Sequence, residues 1–391
     1  MPDGTDTLSI QALSGIDDVA AAEWDACAGT DNPFVRHAFL AALEQSGSAS
    51  SATGWQPCHL AIRDAGGRLL AAAPLYLKGH SYGEYVFDWS WAQAYQQAGG
   101  RYYPKLQCAV PFTPVTGPRL LVRPGEDQAG LRRMLAGAMV ELARRTGASS
   151  VHVTFPTEGD FAQLGEAGYL LRLGSQYHWE NRGYGCFDDF LNDLASRKRK
   201  AIRKEREAVA RHGITLVTLV GDDIKARHWD VFHRFYQATV DRKWGQAYVN
   251  RAFFDLLSAS ELGGDVVLVW AEADGRPLGA AFNMSGGKTL YGRTWGGDAG
   301  AVPFLHFEAC YYRAIEFAIA QGLTRVEAGA QGEHKLSRGY LPAATYSAHW
   351  IADSGLRGAV ARFVNQERPL IEADIAQQTE EGPFRQAQPM P

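Results

Sequence analysis

Residues 266–297 read VVLVWAEADGRPLGAAFNMSGGKTLYGRTWGG, and their pattern decides the architecture. Two apolar runs, Val266–Glu272 and Pro277–Ser285, flank Ala273-Asp274-Gly275, whose residues tolerate the positive φ of a tight turn, so they read as a β-hairpin. A third run, Lys288–Trp295, reads as a strand. Pro303–Gln321 then reads as a helix, with proline at its start and Gly322 at its end. Helices are expected upstream at Lys225–Val240 and Asn250–Ser260, and strands downstream at Arg325–Ala328 and Thr345–Trp350. The same order occurs in the first half. Ile16–Ala28 and Phe34–Gln45 read as helices, and His59–Arg63 with Arg68–Leu77 as a hairpin around Asp64-Ala65-Gly66-Gly67. Arg119–Val122 follows as a strand, Gln128–Arg145 as a helix, Val151–Phe155 as a buried strand and Phe161–Ala167 as a short helix. Helix–helix–hairpin–strand–helix–strand, twice over, predicts a duplicated α/β fold with mixed sheets.

The length of 391 residues favours two domains, because single cores rarely grow beyond about 250–300 residues. An apolar fraction of 46% is that of a globular chain, and a net charge of −4 argues against a wholly basic nucleic-acid coat. Cys27, Cys58, Cys108, Cys186 and Cys310 show no C-x-x-C spacing and no histidine clustering, so they read as reduced thiols with no zinc site. No run is long and apolar enough for a membrane span, and Met1–Ile10 lacks a secretory pattern, so a cytoplasmic protein is expected.

Four stretches carry chemistry. Between Tyr82 and Tyr103 lie Tyr82, Tyr85, Phe87, Trp89, Trp91, Tyr95, Tyr102 and Tyr103, a density far above the chain's 11% aromatic content, with Asp88 and other polar groups interleaved. With no period of two or 3.6, this reads either as a loop lining a cavity for a sugar, nucleotide or peptide, or as an irregular interface filled by rings. Asp188–Arg211 reads as one amphipathic helix carrying Arg197, Lys198, Arg199, Lys200, Arg203, Lys204, Arg206 and Arg211, either a phosphate-binding face or a solvated one.

The third stretch, Tyr291–Glu308, leads a strand through Gly296 and Gly297 to a helix start, where free N–H groups attract an anion. Arg293, Trp295, His306 and Glu308 belong to it. The fourth, Glu327–Tyr340, follows a buried strand and concentrates Glu327, Gln331, Glu333, His334, Lys335 and Arg338, the kind of polar ending at which α/β sheets place their sites. No G-x-S-x-G, phosphate-loop or H-E-x-x-H motif is present.

Several segments together resemble the FemAB-like family of the GNAT acyltransferase superfamily. They are Asn32-Pro33-Phe34, His80–Tyr85, Pro111–Gly117, His178–Asn181, Leu305–Glu308 and Gly329–Lys335. The likeness runs from about Trp24 to Glu367. It implies tandem GNAT-like domains: 8–185 as the acceptor side, 186–370 as the donor and catalytic side with the basic helix 188–211, and 371–391 as a tail. It also implies an activity similar to that of the Fem transferases, which move an amino acid from aminoacyl-tRNA onto an amino group of a peptidoglycan precursor. By that resemblance Ser196–Ile202 matches the basic helix opening the second domain, and Lys335 takes the place of a lysine near the reacting carbonyl. The acetyl-CoA turn of ordinary GNAT enzymes has only a loose counterpart in Gly296–Gly300.

The expected reaction is therefore acyl or aminoacyl transfer to an amine on a small molecule or peptide. The donor is acyl-CoA or aminoacyl-tRNA, no cofactor is tightly held, and tRNA is a candidate partner. Lys335 and Arg338 are expected at the carbonyl, with Glu333, His334 or His306 taking the proton. Tyr82, Tyr85, Asp88, Trp89, Trp91, Tyr95, Tyr103, Arg293, Trp295, Glu308 and Gln331 are expected at the substrate. Arg197, Lys198, Arg199, Lys200, Arg203, Gly296 and Gly297 are expected at the donor's phosphates. A CoA-dependent small-molecule N-acetyltransferase and a non-catalytic binder of cell-wall fragments are the alternatives.

Overall fold

The computed structural model describes residues 8–242, 245, 247–298, 302–329 and 332–385. The chain divides into two compact units. One runs from the N-terminus to Gly174 and takes in Ala344–Glu372, and the other comprises Ser175–Ala343 and the residues from Ala373 onward.

In the first unit, helices Ala21–Ala28 and His37–Gln45 precede the hairpin His59–Arg63/Leu69–Ala73, which lies in a four-stranded antiparallel sheet with Ser9–Leu13 and Leu121–Val122. The single expected run Arg68–Leu77 is two strands. Pro74 has no N–H for a ladder, and the chain resumes as Leu75–Lys78 in a second sheet ordered Trp55–Pro57, Leu75–Lys78, Lys105–Cys108, Ser150–Thr154 and the later half of Leu341–Ile351. Helix Gln128–Thr146 buries Leu131, Leu135 and Met139 against these strands and ends at Gly147, in the left-handed conformation that glycine adopts without penalty.

The aromatic stretch is not a continuous loop. Trp89–Gln97 is helical, and Trp91 is buried with Tyr102 against Ile351, Leu356, Val360 and Val364, with Tyr95 packed alongside. Three of those apolar partners come from Ser354–Glu380, a 27-residue helix where the sequence reading left residues 371–391 as a tail. Packing of this helix also explains why 344–372 associates with the first unit.

In the second unit the sheet order is Thr215–Val220, Val266–Ala273, Arg276–Gly286, Thr289–Gly297, Arg325–Glu327 and the end of Leu170–Glu180. Every neighbouring pair is antiparallel except Thr289–Gly297 with Arg325–Glu327. That parallel pairing lasts only from Thr289 to Tyr291, after which the longer strand runs on without it. Helices Ala226–Asp241 and Arg251–Ala259 form as expected. Two elements differ. The basic segment is two helices, Phe187–Asp193 and Ser196–Arg211, because Leu194 and Ala195 are extended. The helix expected over Pro303–Gln321 starts at Leu305 and contains a π turn at Glu308–Tyr312 before continuing as Arg313–Ala320. Such turns are frequent at functional sites.

Candidate active site

The sheet's parallel pair sets the site. Where Arg325–Glu327 ends, the chain enters the polar loop, which closes as a short helix, Glu333–Arg338, bracketed by Gly332 and Gly339 in left-handed conformations. A Cβ at Gly339 would meet the Phe190 ring at 2.7 Å, so this residue has no room for a side chain. The turn drives Lys335 inward. It is 3% exposed, its Nζ donates to the Gly329 carbonyl at 2.9 Å, and no carboxylate among the described residues lies in ion-pair range. Burial pulls its pKa from 10.5 down to about 8, only partly opposed by the Cys310 thiol nearby. An ammonium group held without a counter-ion is costly and marks a functional position.

Close to it sits a pair that the sequence does not join. Glu327 and His178 face each other across adjacent strands, with Nε2 and Oε2 3.9 Å apart. Both are buried, and neither of these two atoms has a hydrogen-bond partner among the described residues. Burial raises the Glu327 carboxyl to about 7 against the pull of Arg325 and Arg293. Burial lowers His178 to about 3, with Arg325 and Lys335 adding to the effect. In sequence His178 carries no chemical signal of its own, and Glu327 reads only as one of a polar cluster. Their pairing depends on strand register, which their separation in sequence hides.

Other expected site residues are already engaged. Arg338 is held by Glu205 at 2.7 and 3.2 Å, donates to the His334 carbonyl and lies over the Phe307 ring, so its donors are committed away from an oxyanion. Tyr312 also donates to Glu205. His334 is exposed, and its Nε2 lies 2.9 Å from the Tyr311 hydroxyl. His306 packs edge-on against Trp295 and Tyr311. Glu308 is buried and gripped by Arg206 at 2.9 Å and Arg313 at 3.1 Å, which ties the basic helix to the π turn and leaves no free carboxylate for substrate. Arg293 sits at the bulge opposite Phe282 and Asn283. Gln331 and the side chain of Glu333 lie outside the described residues.

Of the glycine turn, Gly296 and Gly297 are described and residues 299–301 are not. Gly296 and Gly297 end a strand, and a Cβ at Gly296 would come within 2.7 Å of the Tyr236 backbone nitrogen, so glycine is required for helix–strand packing. The helix that follows starts at Leu305 and passes into the π turn within one turn. Gly297 does border a 390 Å³ pocket with Arg234, Arg242 and Arg276. On helix Ser196–Arg211, Arg206 is bound to Glu308 and Glu316, and Arg203 reaches Asp188 at 3.4 Å. Arg199 reaches Asn192 at 3.5 Å. Arg197 and Lys198 line a 280 Å³ pocket with Glu205, Ser337 and Arg338.

In the first unit, Asp88 belongs to a polar cluster. It is buried and takes hydrogen bonds from Lys105 at 2.5 Å and Tyr102 at 2.7 Å. Lys105 also bonds Glu84 and Ser81, and Tyr103 meets the same Ser81. Burial raises Glu84 to about 7 despite Lys105. Tyr85 adopts a positive φ of 60°. Of the expected aromatic contacts, Tyr82 and Trp89 are open to solvent, edge-on to each other at 5.0 Å.

The fold is mixed α/β with the duplicated GNAT-like arrangement, and similar solved structures share it. FemX matches with a TM-score of 0.54 at 13% identity, over 88% of this chain and 98% of that one. The C-terminal domain of a putative lysylphosphatidylglycerol synthetase from Agrobacterium fabrum also gives 0.54, at 11% identity over 88% and 95%. L-PGS from Bacillus licheniformis gives 0.51, at 11% identity over 86% and 98%. No curated protein matches in sequence. Residues 15–386 match the model of the FemAB-like family, described as peptidoglycan biosynthesis/recognition, and the chain belongs to that family. Among the described residues no helix is long and apolar enough to cross a membrane.

Proposed function

We propose that this protein transfers an acyl or aminoacyl group from an activated donor to an amine, on a peptidoglycan precursor or a related peptide. One observation carries the reading: Lys335 is buried, charged below pH about 8, and neutralised by no carboxylate among the described residues. When an amine attacks an activated carbonyl, negative charge develops on the carbonyl oxygen. A positive donor in a dry site is worth most there and costs least reorganisation. The amine must arrive neutral, and no covalent intermediate on the protein is needed.

The basic helix favours aminoacyl-tRNA over acyl-CoA as donor. Arg197, Lys198, Lys200 and Lys204 have no acidic partner within the helix or its described surroundings, so they are free to neutralise a run of phosphates. Gly296, in the loose counterpart of a pyrophosphate turn, is held against the backbone of Phe235 and Tyr236. Thermal-shift titration with alanyl-tRNA, deacylated tRNA and acetyl-CoA tests the donor, since a ligand that binds only the folded state raises its stability with the logarithm of concentration. A shift with acetyl-CoA and none with tRNA reverses the donor assignment. Lys335→Ala should lower turnover by about 10²-fold or more, and undiminished turnover removes Lys335 from the reaction.

A further inference from the structure

The acyl-transfer reading leaves one task unassigned, the removal of a proton from the attacking amine. His334 is turned toward Tyr311, and the Glu333 side chain lies outside the described residues. Glu327 is the last residue of its strand, and the parallel partner strand passes it at Tyr291 and continues paired with Arg276–Gly286 on its other side. A Cβ at Gly292 would lie 3.1 Å from the Glu327 carbonyl oxygen, so the two chains approach closely until the point where their pairing ends. Polar groups at the end of a parallel strand are where such sheets hold ligands.

Two polar atoms there are without partners. Glu327 Oε2 and His178 Nε2 are buried, 3.9 Å apart, and unbonded among the described residues. Buried polar atoms are nearly always satisfied, and an exception needs a cause. One small N–H donor at ordinary hydrogen-bond distance from each atom spans this gap. Resting on the acyl-transfer reading, we infer that Glu327, with His178 beside it, is the group that takes the proton from the attacking amine.

The neutral amine forms a C–N bond to the carbonyl carbon while the carbonyl oxygen takes up negative charge opposite Lys335. The nitrogen's surplus proton passes to the Glu327 carboxylate. As the carbonyl re-forms, the bond to the donor's oxygen or sulfur breaks, and Glu327 returns the proton to that atom. His178, neutral through its burial, accepts the amine's other N–H and fixes its orientation. The charged groups surrounding the pair are Arg325, Arg293, Glu180 and Lys335. Near neutrality Glu327 is poised to accept and return a proton, which an ordinary exposed carboxylate does less well.

Side-chain carbon-13 NMR of glutamate-labelled protein tests this directly, with the Glu327 signal assigned by its loss in Glu327→Gln. The expected midpoint lies near pH 7. The amine of a lysine-containing muramyl peptide should displace the signal, and the same peptide with its amine acetylated should not. A midpoint in the usual carboxylate range overturns the inference. So does a signal indifferent to the amine, which would make the pair a structural one. In turnover assays with alanyl-tRNA and the same peptide, Glu327→Gln should remove the limb of the kcat/KM pH profile near 7 and lower kcat about 10²-fold or more. A Glu327→Gln profile like the parent's, alongside an inactive Lys335→Ala, discards the proton role alone. An active Lys335→Ala discards the acyl-transfer reading at this site, while the NMR result still stands on its own.

Discussion

Replacing Lys335 by methionine should make the protein more stable and less active. The side chains have similar length and apolar volume, so the substitution removes mainly the charge and one hydrogen bond to Gly329. Lowering the ammonium pKa from 10.5 to about 8 corresponds to about 3 kcal/mol of unfavourable burial at neutral pH, at roughly 1.4 kcal/mol for each tenfold change in proton affinity. Loss of the hydrogen bond returns about 1–2 kcal/mol. The net expectation at pH 7 is a gain of about 1–2 kcal/mol, or a rise in Tm on the order of 4 °C for a unit of this size.

The pH dependence is sharper than the offset. The folded-state pKa lies below the unfolded one, so between pH about 8 and 10.5 the unfolded parent binds a proton that the folded parent has released. Parent stability therefore rises through that window relative to Lys335→Met, by about 3 kcal/mol in total, and the burial penalty is fully present below it. Urea unfolding of both proteins from pH 7 to 10.5 measures the difference. If the variant is less stable at pH 7 and the difference does not change toward pH 10.5, Lys335 is not a buried, uncompensated charge and the reasoning for its role fails. If the pH dependence appears but turnover is unaffected, the charge is real and the chemistry lies elsewhere.

Glu308→Ala should destabilise the second unit by about 3 kcal/mol in urea unfolding, because Arg206 and Arg313 lose a buried carboxylate. Gly296→Ala should cost about 1–3 kcal/mol by the same measurement, since its Cβ meets helix backbone and not a flexible side chain. Replacing Arg197, Lys198 and Lys200 together by glutamine should weaken tRNA binding and flatten its salt dependence by about 2 in log–log slope, with little change in Tm. Arg206→Gln should instead lower Tm through loss of its bonds to Glu308 and Glu316. In the first unit, Lys105→Met should cost about 3–5 kcal/mol at pH 7, as Glu84 and Asp88 would stay buried without their cation.

Local patterning in the sequence determined the hairpins around Asp64–Gly67 and Ala273–Gly275, the helices Gln128–Thr146 and Ala226–Asp241, the duplicated order and the polar loop holding Lys335, because apolar periodicity and turn chemistry act over a few residues. Helix Trp89–Gln97 escaped that reading because its rings answer to a distant partner, Val360 and Val364, which a short window cannot contain. The split of Arg68–Leu77 at Pro74 needed two sheets to become meaningful. Tertiary structure alone decided which charges are free. Glu308 and Arg338 look as available in sequence as Lys335, yet Arg206 and Glu205 engage them from a hundred or more positions away, while Lys335 meets only the Gly329 carbonyl among the described residues. It also brought His178 opposite Glu327, a matter of strand register across roughly 150 residues of chain. Whether a charge is exposed, paired or stranded depends on what the folded chain places within a few ångströms, and composition and spacing carry no record of those distances.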